Sequence, residues 1–173
     1  MFSLILNNIF RFLFFTILQI SIVQYMDFGA YCIPLLYLIA VLMLPFETPA
    51  VAVILICFSQ GLVIDIFYDQ QGLHAASCVL LGFLRPYVLK LISPREGYDT
   101  LMKPTASQMG TAWFITYAGS LIFFHHLVYF YLEVFRFTEF FSTLLRVVVS
   151  SMATLLAVYI IHFLFYRNEK GLS

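Results

Sequence analysis

The chain has 173 residues, of which 62% are hydrophobic and only 10% charged, and its formal net charge is zero. A globular domain carries about 25% charged residues, so this is the composition of an integral membrane protein. Nucleic acid is excluded as a partner, because phosphate recognition needs concentrated positive charge and the nine Lys and Arg residues form no cluster. The three cysteines, Cys32, Cys57 and Cys78, fall in separate apolar runs without CxxC or Cys/His spacing, so neither a metal nor a redox site is indicated.

A membrane-spanning helix needs roughly 20 mostly apolar residues. Six stretches meet that length, at about 4–24, 28–46, 49–68, 73–92, 108–131 and 140–166. The expected fold is therefore all-α, a single polytopic membrane helix bundle over residues 1–173 with six transmembrane helices. The first apolar run is longer than a signal-peptide core and no small-residue cleavage pattern follows it, so it reads as the first membrane helix. The second span carries Pro34 in its early turns and Pro45 near its exit. Thr48 is placed to cap the third helix and Pro49 to occupy its first position.

Asp69, Gln70, Gln71 and Gly72 turn the chain between the third and fourth spans. The one long hydrophilic segment, residues 93–107, opens with Ser93, Pro94 and Glu96, the pattern of a capped short helix. Glu133, Arg136 and Glu139 lie in the short loop before the sixth span. With six spans, one side of the membrane holds Arg11, Lys90, Arg95, Lys103, Arg167 and Lys170, and the other only Arg136. Positive charge stays inside, so both termini are expected to be cytoplasmic. Tyr25, Tyr68, Tyr98, Tyr131 and Tyr166 fit an interfacial aromatic belt.

Ionisable residues within membrane spans carry function or helix packing by default. Gly61 and Asp65 are four apart and share a face of the third helix, with Phe58 on the same stripe. His74, Ser77 or Cys78, Leu81 and Arg85 make a stripe on the fourth; Ser142, Arg146, Ser150, Ala153 and Ala157 make one on the sixth. Helical rise puts Asp65 and Arg146 at comparable depths below one end of the bundle, which predicts an Asp65–Arg146 pair with His74 at the rim. Arg85 and His74 stay open as alternative mates for Asp65, and a proton relay or partner contact as alternative uses of it. Arg85 is expected to snorkel or to meet a partner.

His125 and His126 read as interfacial residues, and His162 as incidental. His74, His125 and His126 lack the spacing of a metal site. No serine lies in a nucleophile-elbow context and HExxH is absent, so no catalytic residue, metal or cofactor is assigned. The chain reads as non-enzymatic.

The stretch GLVIDIFYDQQGLHAASCVLLGFLR, residues 61–85, resembles the rod shape-determining MreD family in its glycine, apolar triplet, aspartate, polar turn, glycine and following helix. The matching positions are Gly61, Asp65, Gly72 and His74. The resemblance implies an inner-membrane scaffold of the bacterial cell-elongation machinery, linking a bitopic MreC-type partner, and through it MreB-type filaments and RodA with its penicillin-binding partner, to peptidoglycan synthesis. That family is also similar to the S-component fold of energy-coupling-factor transporters, which supplies the alternative of a vitamin-binding membrane subunit. The first helix, RFLFFTILQISIVQ, lacks the small-residue stripe such subunits use for docking. Gly61, Asp65, Gly72, His74, Arg85 and Arg146 are the residues expected to matter for structure or partner binding.

Overall fold

The computed structural model describes residues 2–29, 31–99 and 102–166, and every regular element among them is helical. Five helices have 19 residues or more: α1 (Phe2–Ser21), α3 (Ala50–Tyr68), α4 (Leu73–Leu91), α6 (Thr111–Val134) and α7 (Phe140–Tyr166). Two are short, α2 (Leu38–Leu42) and α5 (Ala106–Met109). Four segments are long and apolar enough to cross a membrane: Leu6–Tyr25, Ala50–Tyr68, Thr111–Val134 and Phe140–Phe165. α4 has the length of α3 but carries His74, Arg85 and Lys90.

The bundle is read most simply from α4, which packs most extensively against α3 and α6; α6 in turn packs on α7, and α1 flanks α2 and α3. The end bearing the Asp69–Gly72 turn is called the upper end here. The turn is tight because Asp69 adopts a left-handed conformation at the C-terminus of α3 (φ 53°), while Gly72 does so at the N-terminus of α4 (φ 90°). Gly72 is suited to such a position, since it has no Cβ to clash.

The expectation of a helix over residues 28–46 is overturned. Only Leu38–Leu42 is α-helical there, and the chain before it is irregular. Pro34 has no N–H to give, and it pushes Ile33 away from helical geometry. The stretch still runs from one end of the bundle to the other. Gln24 Nε2 donates to Phe67 O (3.2 Å) at the upper end, whereas Arg11 Nη1 donates to Met43 O (2.7 Å) at the lower. Its residues 34–44 are deeply buried, with Leu35, Tyr37 and Leu38 wholly inaccessible.

Irregular backbone in an apolar interior survives only if other groups satisfy it. Four polar side chains perform that task. Ser150 Oγ accepts from Ile33 N (3.0 Å) and donates to Tyr31 O (3.1 Å). Thr154 Oγ1 accepts from Leu35 N (3.0 Å). Gln19 receives Leu36 N on its Oε1 (2.8 Å) and donates from Nε2 to Pro34 O (3.3 Å) and Tyr68 Oη (2.8 Å). Gln60 Nε2 adds a bond to Tyr37 O (2.8 Å).

Smaller expectations also change. Thr48 does not cap α3; its hydroxyl turns back to Pro45 O (2.9 Å), and Pro49 is the residue preceding the helix. Residues 93–97 form a turn, closed by Gly97 N to Pro94 O (3.0 Å), in place of a helix. The fifth apolar stretch starts only at Thr111, because Gly110 (φ 91°) breaks it from α5. Of the tyrosines expected at interfaces, Tyr25 is exposed, but Tyr68 and Tyr98 are half-buried and hydrogen-bonded to Gln19 and to Leu89 O. The Tyr166 side chain, Arg167 and Lys170 lie outside the described residues.

Candidate functional site

Asp65 is in the last turn of α3, is 2% exposed, and faces the start of α4. Its Oδ1 accepts from His74 N and its Oδ2 from Ala75 N, each at 2.9 Å. Those N–H groups belong to the first turn of α4, where no carbonyl of the same helix can reach them. The residue before α4 is Gly72, which brings no side-chain cap of its own. Asp65 therefore caps a helix other than its own, and the positive end of that helix's dipole stabilises the carboxylate.

Gly61 makes that reach possible. A methyl group at Gly61 would lie 2.4 Å from Ala75 Cα and 2.6 Å from both Ala75 N and His74 O. The two helices touch backbone to backbone at this point, one helical turn below the carboxylate. Small residues allow such approach in membrane bundles.

This geometry corrects the expected Asp65–Arg146 pair. Arg146 Nη1 instead meets Glu133 Oε2 at 3.1 Å, with its guanidinium 4.6 Å from the centre of the Phe130 ring. Depth alone was a poor guide, because the carboxylate points along the α3–α4 seam while Arg146 sits where α6 and α7 meet. Nearer partners, two backbone N–H groups, satisfy Asp65 without a second charge.

His74 is not a rim residue but is wholly buried. Its Nδ1 lies 2.9 Å from Tyr37 Oη, and His125 Nε2 lies 3.0 Å from the same oxygen. Cys78 Sγ approaches both, at 3.7 Å from Tyr37 Oη and 3.6 Å from His125 Nε2. Tyr68 and Tyr129 close over the His74 ring with centroids 5.1 and 4.6 Å away. The upper half of the bundle is thus filled by rings packed on one another.

His125 and His126, expected at an interface, are also wholly buried. They lie two to three turns below the end of α6, and face α4 and α7 respectively. His126 Nδ1 is 2.9 Å from Ile122 O, which only an N–H can satisfy, so its Nε2 is bare and accepts from Thr154 Oγ1 (3.2 Å). A hydroxyl beside an imidazole has the spacing of a nucleophile and its base. Here, however, Thr154 already accepts Leu35 N–H and is completely buried, which makes the pair a clamp on the irregular segment. His162, read as incidental, is buried against Phe114 and accepts from Ala106 N (3.3 Å). Among the described residues no group of three or more His, Cys, Asp or Glu is placed to hold a metal ion.

Arg85 occupies the far end of the α4 stripe. The expectation that it snorkels is wrong: it is 2% exposed. Its Nη2 donates to Leu44 O (2.6 Å) and Pro45 O (3.2 Å), and its Nε to Tyr117 Oη (2.9 Å), whose own proton goes to Leu42 O (3.0 Å). Leu44 O lies beyond the end of α2, and the guanidinium fork collects it together with Pro45 O, which Thr48 also bonds. Arg85→Met keeps most of the volume but orphans the buried Leu44 carbonyl and takes one bond each from Pro45 O and Tyr117 Oη. At about 1–3 kcal/mol for an orphaned buried group, the expected loss is roughly 2 kcal/mol, read by denaturant titration in detergent. Arg85→Lys, with fewer donors, should recover only part of it.

Of the residues singled out in the sequence, Gly61, Asp65, Gly72 and His74 converge at the α3–α4 junction, Arg85 anchors the opposite end of α4, and Arg146 stands apart. Tyr37, Gln19, Gln60, Tyr117 and Thr154 were missed. Gln19 and Gln60 were detectable as polar residues inside apolar helices, the signal that identified Asp65; the tyrosines look apolar by composition.

These features define a helical protein whose long apolar helices are consistent with a membrane setting and whose buried polar groups hold the helices to one another. Comparison with protein-family models, with curated proteins and with solved structures finds no match for this chain.

Proposed function

We propose that the protein is a non-enzymatic membrane scaffold of the MreD type, acting in the bacterial inner membrane with both termini cytoplasmic and coupling a bitopic MreC-type partner to the cell-elongation machinery. The observation that carries this reading is the fate of the Gly61–Asp65–Gly72–His74 motif. Its glycine is used for close helix approach and its carboxylate for capping a neighbouring helix, which is what a rigid assembly platform requires of it.

The alternative, a vitamin-binding subunit, calls for a pocket in the upper half with a few convergent polar groups. That half is where Tyr37, Tyr68, His74, His125 and Tyr129 pack against each other. A groove of about 740 Å³ lies instead at the lower end between α1, α2 and α3, with mainly apolar walls including Ile9, Phe12, Leu13 and Leu44. Outward-facing apolar residues on α1 and α7, such as Phe10, Ile17, Phe141 and Met152, suit lipid or a partner's membrane helix.

Affinity purification of the full chain from mildly solubilised membranes, with mass spectrometry of what accompanies it, tests this reading. An MreC-type bitopic protein should be enriched over a control membrane protein. Recovery of an ATPase module with its transmembrane coupling subunit, without any MreC-type protein, would establish the vitamin-transport reading instead.

A further inference from the structure

We propose that the groove between α1 and α3 holds one phospholipid bearing a primary ammonium, as in phosphatidylethanolamine, with a tail on the groove's apolar walls and the ammonium on Glu47. The groove lies where the two helices part. Asn8, Phe12 and Thr16 follow one another at spacings of four along α1, as Ile56 and Gln60 do along α3, so each set shares a helix face. At the top of these stripes the helices are joined, with Gln60 Nε2 donating to the buried Thr16 Oγ1 at 3.5 Å. Below that contact lies a space of about 740 Å³, walled by Phe12, Leu13, Leu55 and Ile56 and backed by Leu44. Leu44 is buried, whereas Leu13 and Leu55 are exposed, so the space opens sideways, where lipid lies.

Its length fits one tail. From Ala50 to Gln60 α3 advances ten residues, about 15 Å at helical rise. That is half of a hydrocarbon core of roughly 30 Å, the depth of one leaflet. Ser59, at the inner end, makes no polar demand on the occupant, since its hydroxyl donates to Leu55 O at 2.8 Å.

The headgroup preference comes from the lower rim, where Asn8, Glu47 and Thr48 line the mouth. Among the described residues of the lining Glu47 is the one with a charge, and it is exposed. Thr48 gives its hydroxyl proton to Pro45 O (2.9 Å), which leaves its oxygen as an acceptor. Two adjacent acceptors, one of them anionic, suit an ammonium, which has three donors and no acceptor, and the bond to the carboxylate is charge-assisted. Asn8 adds an amide NH₂ for a phosphate oxygen. A choline headgroup has no N–H to give, and a glycerol headgroup leaves the phosphate charge uncompensated beside Glu47. The mouth therefore distinguishes lipids whose tails are identical. This site requires only the bilayer setting and is independent of the scaffold assignment.

Native mass spectrometry of the full-length protein tests this, after release from vesicles containing equal amounts of phosphatidylethanolamine, phosphatidylcholine and phosphatidylglycerol with the same tails. The wild type should retain one phosphatidylethanolamine in preference to either other lipid by about fivefold, the upper range for an ion pair at an exposed site. Glu47→Gln should bring phosphatidylethanolamine down to the level of phosphatidylcholine. Leu13→Trp, which puts a larger side chain into the groove, should lower the retention of all three. Equal retention of the three lipids by the wild type, a measurement that needs no variant to fold, would show only lipid bound around the helices at large and would overturn the site. So would a preference that survives Glu47→Gln. Photocrosslinking from a diazirine-bearing residue at position 55, in native membranes, should label phospholipid; a labelled protein in its place would give the groove to a partner's helix and overturn the lipid site as well.

Discussion

Asp65→Ala is expected to destabilise the bundle by roughly 2–4 kcal/mol, since each of two buried N–H groups at the start of α4 loses its acceptor at about 1–3 kcal/mol. The two bonds, both 2.9 Å, are the first turn's only side-chain cap, because Gly72 precedes the helix. Capping from a neighbouring helix also means that the loss is felt in tertiary packing: without it the α3–α4 seam loses its polar clasp. Asp65→Asn keeps one acceptor oxygen but turns an amide NH₂ toward the other N–H, so it should fall midway between wild type and alanine. Titration with a denaturing detergent, followed by circular dichroism, reads both. An alanine variant as stable as wild type would show that these N–H groups find other partners. Cellular protein level should follow the same order, since a destabilised membrane protein is cleared by quality control.

Gly61→Ala is expected to be at least as damaging, for a steric reason. The added methyl would lie 2.4 Å from Ala75 Cα and 2.6 Å from His74 O, and backbone atoms inside a helix cannot step aside as a side chain does. The helices must move apart, which costs roughly 3 kcal/mol at the upper end of ordinary overpacking and lengthens the Asp65 bonds at the same time. Gly82→Ala is the informative comparison. Its nearest obstacle is Cys57 Sγ at 2.8 Å, an atom at the end of a side chain, so the penalty should be smaller. If the two alanine variants were equally stable, close backbone approach at Gly61 would not be what holds α3 to α4.

The two variants together also separate the motif's parts. Because Gly61 and Asp65 act on the same two residues, His74 and Ala75, their effects should not add. The double variant should cost less than the two single losses combined.

The composition and the apolar runs were enough to establish an all-helical chain with helices long enough for a bilayer, since length and hydropathy are local properties that survive any packing. The boundaries of α3, α4 and α7 were legible for the same reason: a glycine turn, a proline entrance and an unbroken apolar run mark them. Asp65 was recognisable as a residue of consequence because a carboxylate in an apolar helix must be satisfied. Its partner was not. Helical rise gives depth but not rotation, and only the assembled bundle shows that the carboxylate faces the start of α4 while Arg146 faces Glu133. The residues around 28–37 show the same division from the other side. Their hydropathy says that they belong inside, and from Pro34 onward they are largely buried, while Phe28 and Tyr31 stay exposed. That they cross as irregular chain is decided by Ser150, Thr154 and Gln19, which lie far away in sequence and meet that backbone only after folding. Hydrogen-bond satisfaction is a property of the whole interior: length and hydropathy mark the long helices, but that His74, Arg85, His125 and His126 are buried, and which groups answer one another, comes only from the tertiary structure.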